Sequence, residues 1–560
     1  MLGLNEKYVR ETYDEQGLLT GLDIHWDENY NFAYDVIDEL ADKCPDKRAM
    51  LWTNDVGEKM EFTFADLKKY SDKTANMLRN LGVKKGDMVM LILKRHYQFW
   101  LSILACHKLG AVAVPATNLL TVKDLVYRFD AASIKAVICT SDGELSDHVK
   151  EAAAQCPSVE LLLLAHGRKE EREAGLEEEG WLSFDKLMEA ASENFVREDV
   201  KATDPMLMYF TSGTTGYPKM VMHNALYSLG HIVTAKHWQN VDPEGLHFTM
   251  SDTGWGKAAW GKLYGQWLME SCIFVYDYNK FTPTDLLPLF AKYHITTFCA
   301  PPTIFRFFIK EDLSKYDLSS LEYAAIAGEA LNPEVFNAFY RCTGIKLMEG
   351  FGQTETTCLI ANLKGMEPRP GSMGKPTPHY DVDIVDEDGE PVPPGVTGEI
   401  VVRTDKGTPP GLFMGYYRAP DLTAAAWHDG LYHTGDTAWK DEDGYFWYVG
   451  RTDDVIKSSG YRIGPFEIES VLMEHPSVLE CAVTGAPDPT RGQIVKATIV
   501  LAKGYTPSEE LKKELQTYVK EQTAPYKYPR AIDFVEDLPK TISGKIRRAA
   551  IRSEDWKDKK

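Results

Sequence analysis

No stretch of the 560 residues reaches the roughly 18 uncharged apolar positions that a bilayer-crossing helix needs, so no membrane span is expected. A cysteine pattern is missing too. The nine cysteines lie scattered at 44, 106, 139, 156, 272, 299, 342, 358 and 481, with no CxxC pair and no histidine cluster at metal-ligand spacing. That excludes a disulfide scaffold or a zinc site as the organising feature and suits reduced thiols. Positive charge is in deficit. With 83 acidic against 62 basic residues the net charge is -21, which repels polyphosphate backbones unless the basic residues gather on one face, so nucleic acid is not an expected partner. The first residues, MLGLNEKYVRETYDEQGLL, carry Glu6, Glu11, Asp14 and Glu15, where a secretory signal needs an apolar run and a transit peptide avoids acids. With the reduced cysteines, this gives a cytoplasmic expectation.

What is present is a globular chain, 44% hydrophobic and 26% charged, long enough for about two to four structural domains. Short apolar runs, MVMLIL, AVAVPA, KAVICT and VELLLLA, alternate with helix-length amphipathic stretches such as YQFWLSILACHKLG. The alternation predicts an α/β fold with doubly wound, largely parallel sheets. ITTFCAPP, LEYAAIAGEAL and IKLMEGFG repeat one design further on, a buried strand running into a loop that holds Gly, Pro or an acid, and ligands in such sheets sit where those loops converge. The highly charged run at 167–181 reads as solvated surface. From about 365 to 450 the texture changes to short strands and turns, predicting a β-rich subdomain. A separate α+β lobe is expected after GRTDD, with the boundary at Asp453, giving a large domain over 1–452 and a small mobile one over 453–560.

The first strong chemical signal is MLMYFTSGTTGYPKMVMH, in which an apolar strand opens into Thr211, Ser212, Gly213, Thr214, Thr215 and Gly216, followed by Lys219. Glycines let backbone N–H groups approach phosphate oxygens, hydroxyls add donors, and a lysine adds charge at the rim. The spacing is not GxxxxGK[ST], so the P-loop nucleotide fold does not follow. Four more motifs come in order: GEALNPE (328–334), GFGQTETT (350–357), YHTGD with GRTDDVIKSSGYRIGPFEIES (432–470), and PKTISGKIRR (539–548).

With these five motifs the chain resembles, over nearly its whole length, the adenylate-forming superfamily of acyl-CoA synthetases, nonribosomal adenylation domains and firefly luciferase, most closely the medium-chain acyl-CoA synthetases. The resemblance implies an AMP-forming ligase that activates a carboxylic acid with ATP and passes the acyl group to coenzyme A. Gly328, Glu329 and Ala330 would pack on the adenine, with Asn332 and Pro333 starting a helix as cap and first turn. Glu349, Gly350, Phe351, Gly352 and Gln353 would border the nucleotide. Thr354 and Thr211 would contact phosphate, and Glu355 would hold Mg²⁺, since a hard cation bridging phosphate oxygens wants a carboxylate. Asp436 would take both ribose hydroxyls, with Arg451 beside it. Lys545 would be the catalytic cation that offsets repulsion between the acid and the α-phosphate. Because a thiol must then reach the acyl carbonyl, the small lobe would rotate about Asp453, presenting Ser459, Gly460, Tyr461 and Arg462 to coenzyme A.

The acid itself stays open. Acetyl-specific relatives carry Trp at the position of Gly352, so its absence implies room for more than two carbons, and a short-to-medium-chain, branched or aryl acid rather than acetate. Trp255, Trp260 and Tyr264, with Gly328 and Gly352, are candidates for the acyl pocket, although the three aromatics suit an ordinary core equally well. An acyl carrier protein as acceptor is the alternative to free coenzyme A. Whether the chain is a monomer or a homodimer is not legible.

Overall fold

The computed structural model describes residues 2–174, 178–211, 217–459, 461–541 and 545–556. The leucine- and valine-rich runs form strands buried on nearly every residue, as parallel sheets covered by helices demand. One sheet of eight described strands runs in the spatial order Gly415–Tyr416, Lys219–Asn224, Pro205–Thr211, Val112–Pro115, Met88–Ile92, Ile134–Thr140, Leu161–Ala165, Leu182–Ser183. A second, of nine, runs Lys375–Pro376, Ile360–Ala361, Leu347–Phe351, Tyr323–Ile326, Thr297–Ala300, Leu246–Thr249, Cys272–Asp277, Arg48–Asn54, Lys59–Thr63. Both are parallel at the centre; the nine-stranded sheet is antiparallel at both edges, and the eight-stranded one only at its Gly415–Tyr416 edge.

Helices fill the space around the sheets. Gln98–Leu109 is buried along its whole length and stops at Gly110 (φ 67°), where a Cβ would lie 2.8 Å from Val200 Cγ2, so only glycine serves as its left-handed terminus. Phe64–Asn80 begins with a reciprocal cap: Asp66 N donates to Thr63 Oγ1 at 3.1 Å and Thr63 N to Asp66 Oδ2 at 2.9 Å. Trp52, Trp100, Tyr264 and Trp267 form part of the largest core.

The β-rich subdomain is an antiparallel sheet of Val382–Val385, Gly398–Arg403, Trp427–His428, Leu431–Lys440 and Phe446–Arg451. Two short strands inside the 365–450 span, Lys375–Pro376 and Gly415–Tyr416, instead edge the nine- and eight-stranded sheets. The turn-rich texture reveals strands, but their partners are set by long-range packing. After Arg451 a new sheet begins, Ile456–Ser458, Tyr461–Ile463, Val478–Asp488, Gly492–Leu501 and Ala531–Val535, packed with the helices Pro465–Glu474, Glu509–Gln522 and Arg548–Asp555. Its core of Ile463, Leu472, Val483, Ile499 and Leu515 is its own. The part of the 167–181 run that is described includes a helix, Lys169–Ala174, with no buried residue. All nine cysteines are free. Among the described residues no helix is long and apolar enough to cross a membrane, and no group of His, Cys, Asp or Glu could hold a metal ion by itself.

Gly374 joins the nine-stranded sheet to the β-rich one, bridging to Phe446 at φ 99°, with Ala361 C only 2.1 Å from where a Cβ would stand. Backbone strain and a backbone clash coincide there. Gly374→Ala is expected to cost about 2–4 kcal/mol, read as a lowered urea midpoint for the large domain; an unchanged midpoint contradicts the packing described.

Candidate active site

The strand Pro205–Thr211 turns back as Lys219–Asn224, with Thr211 opposite Lys219. The two strands that flank the Thr/Gly motif are therefore antiparallel neighbours. Ser212, Gly213, Thr214, Thr215 and Gly216 lie outside the described residues. On the return strand, Lys219 Nζ sits 4.7 Å from the centre of the Tyr416 ring, a cation–π contact that aims the ammonium across the edge of the sheet.

Tyr416 also reaches the next motif. Its hydroxyl donates to Glu355 Oε1 at 2.8 Å. Burial pushes the Glu355 carboxyl up, against the hydrogen bond from Tyr416 and the charges of Lys219 and Arg451. The neighbouring Thr354 is held through its backbone: His223 Nε2 donates to Thr354 O at 2.8 Å, and burial holds His223 down at about 4, so the ring is neutral. Neither Tyr416 nor His223 was singled out from the sequence. Both sit on strands that flank the motifs, and only strand pairing brings them in.

Asp436 is 5% exposed, and its carboxylate is tied on every side. Gln353 Nε2 donates to Oδ2 at 2.5 Å, Arg451 Nη1 to Oδ2 at 3.2 Å, and Tyr448 OH to Oδ1 at 3.0 Å. The pairing of Leu431–Lys440 with Phe446–Arg451 sets Asp436 directly opposite Arg451. Gly435, just before Asp436, has φ 68°, a left-handed conformation that favours glycine. Burial raises the Asp436 carboxyl, while Arg451, Tyr448, Gln353 and Lys545 oppose it. Lys545 is thus near enough for its charge to register at Asp436, although the two are 109 positions apart in the chain.

The GEALNPE turn follows Tyr323–Ile326, with Gly328 at φ 117°. Glu329 pairs with Arg306 at 3.3 Å. Lys257, unremarked in the sequence, donates through Nζ to Ala327 O, and burial lowers its ammonium. Behind the turn, Glu349 is 5% exposed; its Oε1 accepts from Leu331 N at 3.2 Å and its Oε2 has no partner among the described residues. Burial pushes this carboxyl up to about 8.

The room expected beside Gly352 is occupied. A Cβ at 352 would lie 2.5 Å from Trp260 Cη2 and 2.4 Å from Thr357 O. The indole absent from position 352 is replaced by one from position 260, which packs edge-on to Trp238 at 6.0 Å. Trp255 is half-buried at the start of the helix Gly256–Gly261. Tyr264 is fully buried, hydrogen-bonded to His107 at 2.9 Å and set edge-on to Phe32 at 4.9 Å. It belongs to the main core, one layer behind Trp260, because its helix faces inward on that side.

In the small lobe Lys545 is exposed, its N–H donating to Thr541 Oγ1 at 3.1 Å. Ser459 (φ 51°) is exposed beside Arg491, whose Nη1 donates to its Oγ at 3.2 Å. Gly460 lies outside the described residues. Tyr461 is 50% exposed and stacks on Tyr526 at 4.1 Å, a partner the sequence did not suggest. Arg462 forms an exposed ion pair with Glu387 of the large domain. Asp453 lies between Arg451 and Arg552, each 3.9 Å away.

The family described as AMP-binding enzyme matches residues 37–417, and the AMP-binding enzyme C-terminal domain matches 467–545. The chain is 45% identical over 538 residues to the human mitochondrial acyl-coenzyme A synthetase ACSM5, covering 94% of this chain and 91% of that protein. It is 42% identical over 540 residues to the mouse mitochondrial acyl-coenzyme A synthetase ACSM3, with the same coverage. Among solved structures it resembles the anthranilate CoA ligase AuaEII in complex with anthranoyl-AMP (TM-score 0.85, 28% identity, 95% of this chain and 98% of that one). It also resembles a benzoate CoA ligase from Burkholderia xenovorans LB400 (TM-score 0.80, 26% identity, 93% and 100%). The cytoplasmic expectation is overturned, because the ACSM3 and ACSM5 relatives are named as mitochondrial proteins. Reduced cysteines suit any reducing compartment and do not discriminate between them.

A carboxyl whose folded value is raised favours the neutral form, so its contribution to stability is present at low pH and is lost as pH climbs from the ordinary carboxylate range through about 8. Thermal midpoints taken from pH 5 to 9 should fall more steeply for the wild type than for Glu349→Gln. Parallel profiles would show that Glu349 is ionised in the folded protein.

Proposed function

The chain belongs to the AMP-binding enzyme family of acyl-CoA synthetases, and from that premise we propose that it joins a short-to-medium-chain, branched or aryl acid to coenzyme A through an acyl-adenylate. In the first step a carboxylate oxygen attacks the α-phosphorus of ATP and pyrophosphate leaves. In the second the coenzyme A thiol attacks the acyl carbonyl and AMP leaves, keeping the oxygen that came from the acid.

The single observation that carries the site assignment is convergence. Lys219 and Glu355 meet at Tyr416, while Gln353, two residues from Glu355, meets Arg451 at Asp436, so separate motifs close on one cleft. Asp436, buried and preorganised by Gln353, Tyr448 and Arg451, suits the ribose hydroxyls as an acceptor. Glu349, with its unpartnered Oε2 behind the adenine turn, suits the adenine amino group as a donor to it. Glu355 is an oxygen donor oriented by Tyr416, and that chemistry fits Mg²⁺, which when bound would neutralise phosphate charge as pyrophosphate departs. Lys545 supplies the cation between acid and α-phosphate. The exposed pair Tyr461 and Tyr526, with Arg491 nearby, gives the small lobe an aromatic and cationic face suited to the nucleotide end of coenzyme A. A turn about Asp453 would bring that face to the site.

The acid meets Trp260 and not open space beside Gly352. Trp260 therefore sets the depth of the acyl site, and aryl acids, as in the two ligases named above, are a chemistry that an indole wall accommodates.

Pyrophosphate release and AMP formation with Mg-ATP, measured across acids from acetate to decanoate plus branched and aryl acids, with and without coenzyme A, test the proposal. Turnover should require coenzyme A and peak beyond acetate; acyl-adenylate without any thioester would point to another acceptor. Lys545→Ala should lower acyl-adenylate formation by about 100-fold or more and leave thioester formation from preformed acyl-adenylate nearly intact. Trp260→Ala should shift kcat/KM toward longer acids by about tenfold or more, the worth of one or two buried methylenes. An unshifted profile would remove Trp260 from the acyl wall.

A further inference from the structure

The small lobe meets the large domain at the adenine turn itself. Asn332 closes GEALNPE and caps the helix Pro333–Thr343, its Oδ1 accepting from Glu334 N at 2.7 Å. The other end of the same amide crosses between domains: Asn332 Nδ2 donates to Ser470 O at 3.1 Å, on the helix Pro465–Glu474. An amide is the one short side chain that can cap a helix with its oxygen and still hold N–H donors for a second partner.

Beside this hydrogen bond stands an opposing contact. Glu334 lies two residues after Asn332, and Glu474 ends the helix that Asn332 grips. Glu474 stands one turn after Ser470 on the same face of its helix, so it shares the seam with Glu334, and burial together with the Glu334 charge holds it above the usual carboxylate range. Glu334 is partly neutralised by Arg341 at 2.7 Å. In this arrangement the charge of Lys545 reaches Asp436 and Lys257.

We propose that Asn332 is a positioning residue for the first chemical step: it clasps the small lobe where Lys545 serves the site, while the Glu334 and Glu474 carboxylates keep that clasp weak enough to open for thioester formation. The inference rests on the function proposed above. A neutral hydrogen bond is worth enough to bias an arrangement several-fold but not to lock it, which is what a lobe that must leave on every turnover requires. The adenine turn and the clasp share one residue, so nucleotide in the turn and the lobe in place support each other.

Asn332→Asp keeps an oxygen to cap the helix and loses the N–H that reaches Ser470. It should lower acyl-adenylate formation, followed by ATP–pyrophosphate exchange, three- to tenfold. Thioester formation from synthetic acyl-adenylate and coenzyme A should stay unchanged or rise, and the thermal midpoint should remain that of the wild type. Glu474→Gln removes the repulsion and should do the reverse, slowing thioester formation with exchange unchanged or faster. If Asn332→Asp does not fold, Asn332→Ser, which also caps but is too short to reach Ser470, carries the same expectation. Equal losses in both half-reactions, or loss in neither, would overturn the inference while leaving the proposed function standing. A wild-type protein that shows no exchange with any acid would overturn the proposed function and the clasp with it.

Discussion

Asp436 is removed from water almost completely, and a carboxylate so placed must be surrounded by donors or give up its charge. The three donors it finds come from two separate parts of the fold. Gln353 extends from the end of Leu347–Phe351 in the nine-stranded sheet, and Tyr448 and Arg451 stand on the last strand of the β-rich sheet. Satisfying one buried charge therefore fixes how those two sheets meet. Arg451, whose other neighbour is Asp453, carries the constraint to the point where the small lobe departs. A second link of the same kind, Tyr416 to Glu355, ties the edge of the eight-stranded sheet to the same cleft. The site is where these obligations intersect.

The electrostatics follow from that geometry. The protein is strongly acidic as a whole, yet Lys219, Lys257, Arg451 and Lys545 gather where the five motifs converge. Lys219 is steadied by an aromatic face and Lys257 by a backbone carbonyl, neither of which quenches positive charge as a carboxylate would. Such a cluster suits an anionic ligand, and polyphosphate is the chemistry it fits. Lys545 alone arrives on a separate lobe, and the proposed mechanism needs that separation, since the cation that serves phosphoryl attack has to leave before thiol attack.

Much of this was legible in the residues. The apolar runs gave the strands, because a parallel strand covered on both faces has to be nearly all apolar. The motifs marked the loops at their ends. A separate lobe after GRTDD, with its boundary at Asp453, was read from a change of texture. What was not legible was pairing across long separations. Tyr416 and His223 look like ordinary strand residues until the sheets assemble around them. Trp260 was visible only as one of three aromatics; that its ring fills the space beside Gly352, while Tyr264 lies in the core behind, depends on the turn of two short helices. Asn332 was read correctly as a cap, but its second hydrogen bond involves a lobe 138 residues onward. The cytoplasmic expectation failed for a different reason: thiol chemistry reports redox potential and not address.

An acyl-adenylate intermediate transfers one of the acid's own oxygens to AMP. With a carboxylic acid labelled with ¹⁸O in both carboxyl positions, Mg-ATP and coenzyme A, mass spectrometry of the products should find one label in AMP, one in the acyl thioester and none in pyrophosphate. Label in inorganic phosphate with ADP as the nucleotide product, or AMP without label, would mean that no acyl-adenylate forms and would contradict the account at its centre.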